Sequence, residues 1–137
     1  MSDTCIFCQI AQNKVNVNIV FENDLVKCFL DKEPINEGHI LIIPKAHYLD
    51  VDELPDNIAC EIMRVSQRIL KSLRQCYVFP GYSMMQNGGI FNDVGHYHMH
   101  IFPRYEQGDF GWTYSEMKID VCNQKVALKI KEMLCAV

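Results

Sequence analysis

The sequence predicts an α+β domain: an antiparallel sheet with one long helix packed on it and a C-terminal helix. Strand-like runs rich in Val, Ile and Phe lie on both sides of a single long segment with helical periodicity. Asn, Asp, Gly and Pro punctuate the runs as turn formers, and a second, shorter apolar stripe at helical spacing closes the chain.

Cys5 to Gln12 reads as a short helix. Residues 16–21 and 25–30 read as strands joined through Glu22-Asn23-Asp24, a hairpin signal. Residues 31–38 form a loop, and 39–43 a third strand ended by Pro44, which lacks the N–H that a ladder needs. From Pro55 the period changes. Ile58, Ile62, Val65, Ile69 and Leu73 recur at spacings of three and four, which predicts a helix over 55–76. A proline in its first turn and the acidic Asp52, Glu53 and Asp56 suit a helix start. Residues 82–86 predict a strand, Asn87-Gly88-Gly89 a turn, and 97–102 a strand stopped by Pro103. Val126, Ile130, Met133 and Leu134 share one helical face, which predicts a terminal helix over about 121–134.

Length and composition bound what this architecture can do. The 137 residues, nearly half of them apolar, suffice for one core, so 1–137 is expected to be a single domain. The longest apolar stretch, Ile40-Leu41-Ile42-Ile43, has strand length, and Met1-Ser2-Asp3-Thr4-Cys5 carries neither a basic flank nor an apolar signal core. No membrane association is expected. Seven cysteines are an odd number in a chain that has a core without staples, so free thiols in a reducing cytoplasm are expected, with Cys28 and Cys60 buried. A formal charge of −4 argues against a broad nucleic-acid surface. Any bound anion must be held by specific groups.

All five histidines, His39, His47, His96, His98 and His100, fall in two short segments. In Gly95-His96-Tyr97-His98-Met99-His100-Ile101-Phe102 three imidazoles alternate with apolar residues. On a strand that places the imidazoles on one face and Tyr97, Met99 and Ile101 on the other. Three chemistries fit such a face. It can be a merely solvated sheet surface. It can bind a metal, because imidazole is a common ligand and His-x-His can chelate one zinc. It can also supply a neutral imidazole nucleophile whose second nitrogen is held by an acceptor, with a neighbouring ring moving protons. The pattern alone leaves the last two close.

His96-Tyr97-His98-Met99-His100-Ile101-Phe102 resembles the signature of the histidine-triad (HIT) family. The resemblance extends to Cys5-Ile6-Phe7-Cys8, Phe29-Leu30-Asp31 and Gly38-His39-Ile40-Leu41-Ile42-Ile43-Pro44-Lys45-Ala46-His47, so its motifs run in family order across 5–104. Residues 105–137, including Trp112, form a tail outside it. The resemblance implies a HIT-like fold and a nucleotidyl hydrolase or transferase acting at the α-phosphate of nucleoside phosphoramidates, aminoacyl nucleotides or dinucleoside polyphosphates. It implies His98 as the nucleophile, His100 as the group near the leaving atom, and His39 as an orienting partner. It implies Asp31 as the carboxylate for the ribose hydroxyls, Phe7 and Phe29 as parts of the base slot, and Gln86, Asn87 and Asn92 as phosphate-side amides. Asn92 stands where Gln is usual, and the turn before it is one residue shorter than the common family spacing. Some members hold a structural zinc, which here would take Cys5, Cys8, His47 and His96. A purine nucleotide substrate, no organic cofactor, and a homodimer built on the long helix and one strand complete what the resemblance implies. The competing readings are a metal-dependent hydrolase with catalytic zinc on His96, His98 and His100, and a zinc-stapled nucleotide-binding module with negligible turnover.

Overall fold

The computed structural model describes residues 4–114, 116 and 122–136. In chain order these form α1 (Ile6–Ala11), β1 (Ile19–Glu22), β2 (Val26–Leu30), β3 (Ile40–Pro44), α2 (Asp56–Cys76), β4 (Gly81–Met85), β5 (Met99–Arg104) and α3 (Asn123–Leu134). One five-stranded antiparallel sheet runs in the order β1-β2-β3-β5-β4. The α+β architecture expected from the sequence is the one found. Of the terminal helix expected over 121–134, residue 121 lies outside the described residues.

The pleat sorts the central strands into two faces. Val26 and Cys28 of β2, Ile40 and Ile42 of β3, and Ile101 of β5 pack against Ile58, Ile62, Val65, Ile69 and Leu73 of α2. Phe29 of β2 and Leu41 and Ile43 of β3 point the other way, onto Phe7, Cys8 and Ile10 of α1. The run of buried residues along β3 thus reflects a strand covered on both faces. Burial pushes the Cys28 thiol up to about 12, so it stays protonated as a small apolar group. Cys60, expected inside, is exposed. It lies two residues from both Ile58 and Ile62, and half a turn turns a helical side chain away from the buried stripe.

Side chains lock the connections. Asn23 accepts from the N–H groups of Leu25 (2.9 Å) and Val26 (3.0 Å), closing the β1–β2 turn, and its amide donates to Glu61 of α2 (2.6 Å). Gly38 has φ +88°, and a Cβ there would stand 3.2 Å from Leu73 Cδ2 and 3.3 Å from Pro103 Cγ.

The strand ends at Pro44 as expected, but Pro103 does not stop its strand. Pro44 is the last residue of β3, and Pro103 lies inside β5, paired with Tyr82. In an antiparallel strand a residue's N and O face the same neighbour. The Pro103 carbonyl accepts from the Asn36 side chain (3.0 Å), on the side where pairing with β3 has ended at Ile101, so the missing N–H faces no strand. The Pro44 carbonyl likewise faces His96 rather than a ladder partner.

Lys27 is fully buried on the α1 face of β2. Its ammonium donates to the Ile10 carbonyl at the end of α1 (2.9 Å) and to Asn13 Oδ1 (2.6 Å), and Glu22 lies 3.5 Å away. The Ile10 carbonyl also accepts from the Asn13 N–H (3.0 Å), so the ammonium adds a second bond there and clamps α1 to the sheet. At the other end of the chain, α3 buries none of its residues against the described molecule; Val126, Ile130, Met133 and Leu134 are all exposed.

Lys27→Met keeps the side-chain length but removes the charged donor from the Ile10 carbonyl and from Asn13 Oδ1. It is expected to lower unfolding free energy by roughly 1–3 kcal/mol in urea titrations. An unchanged midpoint would show that the clamp carries no stability.

Candidate active site and metal centre

The histidine segment enters β5 from a tight turn in which Gly95 has φ +65°. His96 and His98 precede the first paired residue, Met99, so the ladder starts two residues later than the sequence pattern suggests. The alternation holds nonetheless. Tyr97, Met99 and Ile101 join the α2 core, while His96 and His98 meet Phe7 of α1.

Carbonyl oxygens fix the tautomers, because a carbonyl can only accept. His98 Nδ1 lies 2.8 Å from the carbonyl oxygen of His96 and therefore donates to it. That leaves the lone pair on Nε2. The His98 ring is 3% exposed, edge-on to Phe7 with centroids 5.2 Å apart. Nearest to Nε2 among charged groups is Asp93, whose Oδ1 stands 3.7 Å away.

A second relay runs beside it. The N–H of Ile35 donates to His39 Nδ1 (3.0 Å), so His39 Nε2 carries the proton and donates to His100 Nδ1 (2.9 Å). His100 is left with N–H at Nε2. Asp31 Oδ2 flanks both rings, 3.6 Å from His39 Nε2 and 4.0 Å from His100 Nδ1, while its Oδ1 accepts from the N–H of Glu33 (2.9 Å). Burial, reinforced by the neighbouring His98 and His39 rings and opposed by Asp31 and Asp93, pulls His100 down to about 4 from its ordinary 6.5. Burial likewise lowers His39, against the pull of Asp31. His39 and His100 are therefore neutral imidazoles at pH 7.

His96 points elsewhere. Its Nε2 donates to the Pro44 carbonyl (3.0 Å), which leaves Nδ1 unprotonated. That nitrogen lies 3.5 Å from Cys5 Sγ, 3.6 Å from Cys8 Sγ and 3.3 Å from His47 Nδ1, and Cys8 Sγ is 3.2 Å from His47 Nδ1. Ligand atoms about 2.0–2.3 Å from a tetrahedral zinc stand about 3.3–3.8 Å apart, close to these four separations, and all four ligand atoms lie within 4.8 Å of one another. A carbonyl on the far nitrogen is also the usual second partner of a metal-bound imidazole. Burial draws His96 down to about 4, which keeps its donor nitrogen free. Cys5, Cys8, His47 and His96 can together bind a metal ion.

A catalytic ion shared by His96, His98 and His100 has no such geometry. Among the described residues, the two clusters whose ligand atoms come close enough to share an ion are this Cys₂His₂ set and Asp31 with His39 and His100. In the second, the His39–His100 hydrogen bond already occupies the facing nitrogens.

The remaining expected site residues are placed as follows. Phe7 and Phe29 are buried, 5.8 Å apart edge to face, and belong to the α1 core beneath the imidazoles. Gln86 donates to Asp50 Oδ1 (3.2 Å) and to the Asn87 carbonyl (2.8 Å), and Asn87 is exposed. Asn92 donates to the Leu49 carbonyl (2.8 Å) and accepts from the N–H groups of Val94 (3.3 Å) and Gly95 (3.0 Å). Two aspartates escaped the reading of the sequence. Asp50 accepts from the N–H of Gly89 (2.7 Å), and a Cβ on Gly88 would come within 2.7 Å of its carboxylate. Hydrogen bonds from Val51, Gly89 and Gln86 hold Asp50 below the ordinary carboxylate range. Asp93 was hidden because only the turn at Gly95 brings it to His98.

Comparison with known proteins agrees with this geometry. The profile of the HIT domain family matches residues 12–107. An uncharacterized HIT-like protein of Methanocaldococcus jannaschii is 38% identical over 116 residues, 83% of this chain and 89% of its own length. The adenosine 5′-monophosphoramidase of Saccharomyces cerevisiae is 31% identical over 121 residues, 85% of this chain and 74% of its own. The crystal structure of a HIT family protein from Bacillus anthracis superposes with a TM-score of 0.87 at 28% identity, covering 100% of this chain and 99% of that one. A zinc-bound histidine triad protein from Mycobacterium smegmatis gives a TM-score of 0.73 at 27% identity over 83% of this chain and 84% of its own. With the family profile spanning the sheet, the long helix and the imidazole relay alike, the chain belongs to the HIT family.

Proposed function

We propose that this protein is a nucleotidyl hydrolase or transferase in which His98 Nε2 attacks the α-phosphorus of a nucleoside phosphoramidate, an aminoacyl nucleotide or a dinucleoside polyphosphate. The observation that carries the reading is the bond from His98 Nδ1 to the His96 carbonyl. It leaves Nε2 a lone pair and holds the ring in one orientation.

For a phosphoramidate, the Nε2 lone pair forms a bond to phosphorus as the P–N bond breaks with its electron pair leaving on nitrogen. His100 Nε2–H supplies the proton that the departing amine takes. Water then attacks phosphorus, returning a proton to His100 and releasing the nucleoside monophosphate and free His98. His39 and Asp31 position His100, and Asp31 is also the carboxylate for the ribose hydroxyls. The base slot of this reading lies beside Phe7 and Phe29, and Gln86, Asn87 and Asn92 shape the phosphate-side loop. A purine nucleotide is the substrate class, in keeping with the adenosine-specific name of the yeast relative.

Zinc on Cys5, Cys8, His47 and His96 is structural in this reading: with four protein ligands it has no open position and ties α1 to the histidine segment. No organic cofactor and no nucleic acid enter the scheme. A homodimer is supported by β4, an open sheet edge, and by the uncovered apolar side chains of α3. The seven cysteines form no disulfide among the described residues, which suits a reducing, cytoplasmic setting, and among the described residues no helix is long and apolar enough to cross a membrane.

Acid-quenched intact-mass spectra after brief mixing with adenosine phosphoramidate are expected to show an added nucleoside monophosphate that maps to His98. His98→Ala should lower turnover by about 10³-fold or more while nucleoside monophosphate binding stays measurable. Equal turnover in the variant would sink the assignment, and bound nucleotide with no turnover in the native protein would favour a binding module. Removing zinc with a chelator is expected to lower the unfolding midpoint; where circular dichroism remains native, turnover should persist, and its loss there would favour a catalytic metal.

Holding His100 neutral has a thermodynamic signature. Its folded pKa, about 4, lies below the ordinary 6.5, so its contribution to stability is complete above pH 6.5 and is lost as the pH falls towards 4. Urea midpoints measured across that window should fall less steeply for His100→Asn than for the native chain. Identical slopes would place the proton uptake elsewhere.

A further inference from the structure

Aspartate carboxylates stand within 4.0 Å of the three imidazoles of the proposed chemistry: Asp31 beside His39 and His100, and Asp93 beside His98. Asp93 is the outer of the two, 85% exposed, with its carboxylate 3.7 Å from the nucleophilic nitrogen. Its place is built into the loop. Asn92 on one side holds the Leu49 carbonyl and the N–H groups of Val94 and Gly95, so the backbone carrying Asp93 is tied at both ends. The chain from Gly88 to Gly95 contains no Lys or Arg, and Ile90 and Phe91 present exposed apolar side chains just before Asp93. The Gly89 N–H and the Gln86 amide, which could otherwise meet phosphate oxygens, are bonded to Asp50.

A polyphosphate chain is commonly met by Lys, Arg or a nest of free backbone N–H groups. This mouth offers a carboxylate and an apolar flank instead. We propose that Asp93 is a specificity-determining residue that selects the departing group by charge, favouring amines that carry a positive charge over polyphosphates.

The inference rests on the reaction proposed above and narrows its substrate class to phosphoramidates and related amine-bearing nucleotides. The chemical step is unchanged: the P–N bond breaks, the amine nitrogen keeps the electron pair and takes a proton. Asp93 acts through its field. A cationic substituent near the carboxylate is attracted as the complex forms and the bond breaks, whereas each added anionic charge on a polyphosphate is repelled. Because Asp93 is exposed, the effect is modest and salt-sensitive.

The test compares kcat/KM for two isosteric adenosine phosphoramidates, one made from ethylenediamine, whose far amine is an ammonium, and one from neutral propylamine, together with a diadenosine polyphosphate. At low ionic strength the native protein is expected to favour the ethylenediamine derivative over the propylamine one by roughly threefold to tenfold, and the preference should shrink at about 1 M salt. In Asp93→Asn the ratio should fall to near unity and polyphosphate cleavage should rise by a similar factor; Asp93→Glu should restore the preference. Circular dichroism of each variant checks the fold. A ratio that survives in Asp93→Asn overturns the inference while leaving the His98 chemistry standing. Failure of the native protein to cleave any of the three overturns both. A native preference for the polyphosphate that needs magnesium and disappears in Asp93→Asn would assign the carboxylate to a metal ion and also overturn the inference.

Discussion

Two backbone carbonyls govern the site. The Pro44 oxygen accepts from His96 Nε2, and the His96 oxygen accepts from His98 Nδ1. Since neither oxygen can donate, each bond determines which nitrogen of its ring is bare. His96 is left with a bare Nδ1 aimed at two sulfurs and another imidazole; His98 is left with a bare Nε2 at the mouth beside Asp93. One short segment thereby carries, two residues apart, a ring turned to the cluster of Cys5, Cys8 and His47 and a ring with a bare Nε2. The third ring, His100, is set by the relay from Ile35 through His39 and carries its proton on Nε2.

That arrangement requires a sheet covered on both faces. On one side α2 packs the apolar half of the pleat, and on the other α1 covers Phe29, Leu41 and Ile43 and brings Phe7 edge-on to His96 and His98. A six-residue helix has little stability of its own. It is held by buried side chains, by the Lys27 ammonium at the Ile10 carbonyl, and by the two cysteines that lie with His47 and His96. Burial of His96 and His100 disfavours their charged forms, which is why both stay neutral, His100 despite Asp31 and Asp93.

The loop from Gln86 to Gly95 is organised around its own hydrogen bonds. Asp50 reaches from before α2 to hold Gly89 and Gln86, and Asn92 holds the Leu49 carbonyl, so the segments before α2 and before β5 are laced together. Tyr97 N–H donates to the Tyr48 carbonyl (2.7 Å) and extends the same lacing to the histidine segment. The electrostatic character of this region follows from this: the amides serve the loop, and the carboxylates beside His39, His98 and His100 are those of Asp31 and Asp93.

Local patterns in the sequence were enough for the elements themselves. Alternation at His96, His98 and His100 specifies a two-faced strand because the side-chain period of a strand is two, and the spacing from Ile58 to Leu73 specifies a helix with one buried stripe. Resemblance to a family added the grouping of Cys5, Cys8, His47 and His96 and of His39 with His100, which the folded chain brings together. Other features depend on contacts between residues far apart in the chain. Pro103 sits inside a strand because β3 has ended beside it, Cys60 is outside because its helix face turns from the sheet, and Gln86 and Asn92 are engaged because Leu49 and Asp50 lie against them. The tautomer of every site histidine except His47, and the approach of Asp93 to His98, belong to the same class. They are set by which carbonyl, N–H or carboxylate lies within about 3 to 4 Å, a distance that only tertiary packing defines.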